Sequence, residues 1–255
     1  MAAGSTIDPD EVARFDRLAR EWWDPNGPMR PLHRLNPLRL QYVRDEACRR
    51  FGRDWRRARP LEGLAALDVG CGGGLLSEPL ARLGATVVGL DPAPTNIAVA
   101  RRHAERSGLA IDYREEEVED VARRGERFDL VLAMEVVEHV ADVPAFVGAC
   151  CRAVKPGGLL VMSTLNRTLR AYALAIVGAE YILGWLPRGT HRWDKFVTPD
   201  ELADAVEAEG LSVADTRGVS YTPLADGWSL SRDTSVNYML AAERPALGAE
   251  RVMGR

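Results

Sequence analysis

The chain has 255 residues, 46% of them hydrophobic and 27% charged, which excludes a disordered polymer and allows one α/β domain with additional segments. A formal charge of −4 gives no global signal for nucleic-acid binding, and the local basic run "RRFGRDWRRAR" reads as a solvated helix face. Cys48, Cys71, Cys150 and Cys151 form no C-x-x-C pair, and "MAAGSTIDPDE" lacks the marks of a signal or transit peptide, so neither a disulfide framework nor export is expected and the predicted location is the cytoplasm.

In chain order, residues 8–59 come first. The stretch "FDRLAREWWDPNGPMRPLHRLNPLRLQYVRDEACRRF" contains two helix-like patterns about a Pro-rich turn, and suits a segment packed over the mouth of a sheet. "AALDVG" and "ATVVGLD" are short apolar runs; helical patterns in "LLSEPLARLG" and "NIAVARRHAERSG" separate them from strand-like "AIDYREE" and "FDLVLAME". This βαβαβ alternation predicts a doubly wound, mostly parallel sheet. The helix "VPAFVGACCRAV", the turn "KPGG" and the strand "LLVMST" extend it. Residues 166–196, "NRTLRAYALAIVGAEYILGWLPRGTHRWDKF", then interrupt it, at a length no ordinary connection needs. Thr198 caps a further helix with Pro199 in its first turn, followed by strand-like "LSVADTRGV" and "VNYMLAAER".

Ligands of such sheets sit at the carboxyl ends of the strands, which directs attention to "DVGCGGGLLSE" after the first one. Gly70, Gly72 and Gly74 permit close approach of a ligand to backbone N–H groups. Leu75 stands where a dinucleotide fingerprint requires its last glycine, which argues against nicotinamide or flavin. Asp91 ends the second strand, 21 residues beyond Gly70, where a carboxylate can accept both hydroxyls of a ribose. Cys71 is expected to point into packing.

Together "WWDPNGPMRPLHRLNPLRLQYV", "LDVGCGGGLLSEPLARLGATVVGLD", "MEVVEHV", "KPGGLLVMSTLNR", "VGAEYILGWLPRGTH" and "VNYML" resemble the O-methyltransferases of ubiquinone biosynthesis. The resemblance implies a single class I methyltransferase domain over residues 1–255. It would be an α/β fold with a doubly wound, mostly parallel seven-stranded sheet, an N-terminal helical cap and an insert after the fifth strand. It also implies S-adenosylmethionine as methyl donor, with Arg39, Gly70, Asp91 and Met134 as its contacts. Arg39 would pair with the methionine carboxylate in a fork that Lys does not reproduce, and Met134 would line the adenosyl pocket. The implied acceptors are polyprenyl hydroxyphenols or catechols, methylated at both O-methylation steps. The rival readings are methyl transfer to another small acceptor, and a catalytically idle S-adenosylmethionine-binding subunit of a membrane-associated complex.

A phenol with a pKa near 10 must lose its proton to a base or to a metal's field. In "MEVVEHV", Glu135, Glu138 and His139 stand at i, i+3 and i+4, on one face of any helical turn they form. The resemblance associates these positions with Mg²⁺ or a similar dication; His139 as a metal-free catalytic base is the alternative, and a structural role the third. In the insert, "AYALAIVGAEYILGWLP" is broken by Gly178, Glu180, Gly184 and Pro187 and is too short to span a bilayer. Flanked by Arg167, Arg170, Arg188, His191, Arg192 and Lys195, it is expected to meet an anionic membrane surface on the cytoplasmic side and admit a polyprenyl substrate, with a lid or contact surface as the alternative. Other ubiquinone-biosynthesis proteins are possible partners; nucleic acid is not expected.

Overall fold

The computed structural model of the protein describes residues 5–172, 193–222 and 227–247. Its strands are β1 (Ala65–Val69), β2 (Thr86–Leu90), β3 (Asp112–Arg114), β4 (Phe128–Met134), β5 (Val154–Leu165), β6 (Ser212–Thr222), β7 (Gly227–Ser231) and β8 (Asn237–Glu243). They form one 8-stranded sheet in the order β3-β2-β1-β4-β5-β8-β6-β7. Pairing is parallel from β3 through β5 and antiparallel in β5–β8, β8–β6 and β6–β7. The central strands are apolar almost throughout because helices cover both faces. Leu67, Val131, Ala133, Leu160 and Met162 face one layer. Ala66, Leu130, Leu132, Leu159 and Val161 face the other.

The helices are α1 (Pro9–Leu18), α2 (Arg30–Arg50), α3 (Ser77–Arg82), α4 (Pro94–Arg106), α5 (Val118–Arg123), α6 (Val143–Arg152), α7 (Leu169–Ala171) and α8 (Pro199–Ala208). Local chemistry fixes their starts. Asp142 accepts from the Ala145 N–H to cap α6, and Thr198 with Glu201 forms a capping box before Pro199 in α8. Helix α1 begins at the cap Asp8 and has no buried residue, whereas α2 buries Leu35, Arg39, Tyr42, Val43, Ala47 and Cys48.

Three expectations need correction. The sheet has one strand more than the seven expected, because β6 runs on to Thr222 and turns back as β7, "GWSLS", a segment too short and mixed in polarity to stand out as a strand. "KPGG" is not a separate turn: β5 begins at Val154 and carries it, with a register shift opposite Phe128 to Leu130 where Gly157 takes φ +79°. The basic run leaves the helix after Arg50, and Arg44 and Arg56 lie over the half-exposed ring of Trp55. Of the 166–196 insert, α7 and a 3-10 turn at Trp193–Lys195 are seen; the membrane-facing middle expected at 173–192 lies outside the described residues. Among the described residues, no helix is long and apolar enough to cross a membrane.

Candidate active site

The strand order reverses between β1 and β4, opening a crevice at the carboxyl ends of the strands. A cavity of about 800 Å³ fills it. Arg39, Gly70, Asp91, Met134, Glu135, Glu138 and His139, singled out in the sequence, all line it, as do Glu11, Phe15 and Trp22 of the N-terminal segment and Tyr221 and Trp228 of the β6–β7 hairpin.

The loop after β1 needs its glycines. Gly70 has φ +69°, and a Cβ there would stand 2.6 Å from Val136 Cγ2. At Gly72, φ +53°, a Cβ would collide with the Trp22 ring, so this tryptophan is the lid over the loop. Trp22 Nε1 donates to Asn96 Oδ1 at 2.7 Å, and Asn96 Nδ2 donates to Asp91 Oδ1 at 3.0 Å. Asp91 also accepts from the Gly72 and Ala93 N–H groups at 2.9 Å each. Burial raises the Asp91 carboxyl above its ordinary range against the pull of these bonds. With three donors satisfied, about one of a carboxylate's roughly four acceptor positions is left, room for one ribose hydroxyl rather than two. Burial likewise pushes the Cys71 thiol well up, consistent with its packing against Ile97, Ala100 and Tyr113 and not with a nucleophile.

Arg39 is buried on α2, and its guanidinium is held by a single Nη2 bond to Asn36 Oδ1 at 3.0 Å. Its Nε has no partner. Burial lowers its pKa, opposed by the charges of Glu135 and Asp68. A buried cation with an orphaned donor is costly until an anion arrives. Asp68 ends up beneath it, bonded by Ser77 Oγ at 2.5 Å and pushed by burial up to about 6. Because this folded-state pKa lies above the ordinary carboxylate value, Asp68 costs stability progressively as pH rises from about 4 through about 6. Asp68→Asn should therefore raise thermal stability at pH 7, by at most about 3 kcal/mol, and leave it unchanged near pH 3.5. Equal melting temperatures of the two forms at pH 7 would remove the argument.

The stretch "MEVVEHV" is not one helical turn. Met134 ends β4, Glu135 takes φ +59°, and a 3-10 turn spans Val137–His139. The three side chains consequently do not share one helical face: the two carboxylates stay neighbours and the imidazole turns to another element. Glu135 accepts from Ser163 Oγ at 2.7 Å and from Asn237 Nδ2 at 3.2 Å, while Glu138 accepts from Thr164 Oγ1 at 2.7 Å and keeps Oε1 buried without a partner. Burial and the adjacent Glu135 charge push Glu138 above the usual carboxylate range. His139 turns to the N-terminal segment: its Nδ1 lies 3.1 Å from Glu11 Oε2, and Phe15 meets its ring edge-on at 5.1 Å. Burial tends to raise Glu11, but its bond to His139 and the charges of His139, Arg14 and Lys195 outweigh that and hold it below the usual carboxylate range. An ionised carboxylate only accepts, so Nδ1 is the donor in this contact. Among the described residues, no three His, Cys, Asp or Glu side chains group as a metal site. The carboxylate pair suits a dication in chemistry; the imidazole, as placed, does not join it.

Trp22, Asn96 and Glu11 were not singled out by sequence reasoning. "WWD" and the Asn in "PAPTNIAVA" were visible, but nothing local ties them to Gly72, 50 residues after Trp22 and 24 before Asn96. Residues 67–162 match a family model described as a methyltransferase domain. The chain is 67% identical over 242 residues to a ubiquinone biosynthesis O-methyltransferase of Methylobacterium nodulans, covering 95% of this chain and 97% of the relative. It is 59% identical over 244 residues to one of Brucella anthropi, covering 96% and 98%. In fold it is similar to the magnesium protoporphyrin IX methyltransferase of Synechocystis with bound SAH, with TM-score 0.63 at 22% identity over 91% of this chain and 94% of that one.

Proposed function

Because the chain belongs to the ubiquinone biosynthesis O-methyltransferases, we propose that it methylates polyprenyl hydroxyphenol and catechol intermediates at both O-methylation steps. It is an S-adenosylmethionine-dependent O-methyltransferase. The observation that carries the site assignment is the buried, unpartnered Arg39 Nε facing the same cavity as Asp91 and His139. Arg39 receives the donor's methionine carboxylate, the Gly70 backbone its amino acid end, Asp91 one ribose hydroxyl, and Met134 the adenosyl group. The donor supplies an electrophilic methyl on a sulfonium. His139 Nε2 takes the acceptor's hydroxyl proton as the oxygen forms its bond to the methyl carbon and the S–CH3 bond breaks, leaving a methyl ether, a thioether and an imidazolium. The apolar walls, Phe15, Tyr221 and Trp228 among them, exclude water from the transfer.

A second reading has its own observation. Glu138 Oε1 is unpartnered beside the Glu135 charge, and a dication held by these two carboxylates would relieve their repulsion and lower the acceptor's pKa. One experiment addresses both. Protein stripped with chelator and checked by elemental analysis is given methyl-labelled S-adenosylmethionine and a short-chain polyprenyl catechol, and the product is read by mass and nuclear magnetic resonance. The expected result is label on phenolic oxygen at undiminished rate. Loss of activity restored by Mg²⁺ establishes the second reading, label on carbon or nitrogen gives a different methyltransferase, and donor binding without turnover gives an idle subunit.

Contact of the 166–196 insert with an anionic membrane surface, and with other proteins of the pathway, belongs to the same proposal. Arg167 pairs with Glu201, Arg170 with Asp233 and Lys195 with Asp8. The charge offered to lipid then rests on Arg188, His191 and Arg192, outside the described residues.

A further inference from the structure

Helix α1 is an unusual wall for a reaction chamber. It buries none of its residues, yet Glu11, Val12, Phe15 and Leu18, at helical spacing, all face the cavity. Besides the partly buried Phe15 and Leu18, which pack against Ala19, Trp22, Met29 and Leu75, polar anchors hold the segment. Thr6 Oγ1 donates to Glu119 at 2.5 Å, the Ala141 N–H donates to the Thr6 carbonyl at 2.8 Å, Lys195 Nζ reaches Asp8 at 2.6 Å, and the Thr95 N–H reaches Asp16 Oδ1 at 3.0 Å. An element with few buried apolar contacts opens at low cost. Two groups that meet His139 come from this one helix: Glu11 Oε2 accepts from Nδ1 at 3.1 Å, and Phe15, one turn on, meets the ring edge-to-face at 5.1 Å.

We propose that Glu11 is a positioning residue for the methyl transfer: seated only when α1 lies over the cavity, it fixes His139 in the tautomer whose Nε2 accepts the acceptor's proton. The base is assembled by closure of the lid. Glu11 Oε2 is engaged by the imidazole, so its role is argued through that ring, and the inference rests on the reading of His139 as base. A carboxylate so placed sets ring orientation and tautomer, and its loss typically costs about 10- to 100-fold where the oriented imidazole does the chemistry.

The test is a double-mutant cycle with an independent spectroscopic readout. Glu11→Gln should lower kcat about 10- to 100-fold while S-adenosylmethionine affinity and acceptor KM stay within about threefold. On a His139→Ala background it should cost nothing further. Nitrogen-15 spectra of the wild type should show His139 with a protonated Nδ1 and a bare Nε2, the resonances being assigned by their absence in His139→Ala; in Glu11→Gln they should move to the tautomer average. Glu11→Gln at wild-type kcat, or an equal loss on both backgrounds, overturns the proposal and leaves His139 as base. A His139→Ala variant at full rate overturns the base reading and the proposal with it. If Glu11→Gln melts early, Val206→Ala, a core truncation in α8 away from the cavity lining, separates the causes. Retained kcat in that variant despite comparable destabilisation supports the role of Glu11; matching losses of kcat and stability in the two variants overturn it.

Discussion

Replacing His139 with Ala should lower kcat by roughly 10²- to 10⁴-fold and leave S-adenosylmethionine binding nearly unchanged. At pH 7 a phenol with a pKa near 10 is ionised in about one molecule in a thousand, so a base that removes its proton during attack recovers a factor of that order. His139 is placed for this, on a 3-10 turn at the cavity wall with Nδ1 committed to Glu11. The deficit should shrink about tenfold per pH unit as the medium itself ionises the acceptor, until pH approaches 10. Single-turnover rates from pH 7 to 9.5 check it. A deficit independent of pH, or a loss under threefold, would leave His139 a structural residue.

Arg39→Met should weaken S-adenosylmethionine by about 100-fold or more, as expected for a charge-assisted fork in which each bond to a charged group contributes roughly 1.5 to 3 kcal/mol. The same change should not destabilise the ligand-free protein and should raise its melting temperature. A buried cation, held by one hydrogen bond and with its Nε orphaned, is replaced by an apolar chain of similar length. The two readouts therefore move in opposite directions, unlike those of a residue that merely supports the fold. Arg39→Lys keeps the charge without the fork and should fall between. Calorimetric titration with thermal melts of the free protein decides it; unchanged affinity in Arg39→Met would take Arg39 out of the site.

The legible parts of the molecule were those encoded locally. The glycine loop, Asp91 at a strand end, and the Thr198–Pro199 helix start each depend on residues within one turn or loop, and the structure places them as the spacing implies. "MEVVEHV" misled because i, i+3, i+4 spacing describes a helix only if the backbone is helical. Here β4 delivers the chain at an angle that Glu135 absorbs with a positive φ, and the imidazole parts from the two carboxylates. The contact of Glu11 with His139 spans 128 residues, and no periodicity reports it. The hairpin strand β7 escaped because edge pairing with β6, rather than an apolar face, makes it a strand.

The left-handed backbone at Glu135 is offset by what its side chain holds. A side chain there costs about 1 kcal/mol relative to glycine, and the Glu135 peptide N–H is tied to the carbonyl and hydroxyl of Ser163, bonds that a glycine would retain. A glycine would forfeit the carboxylate, which accepts from Ser163 Oγ on β5 and Asn237 Nδ2 on β8. The strained residue is thus a rivet that fastens the end of β4 to two further strands at the cavity wall.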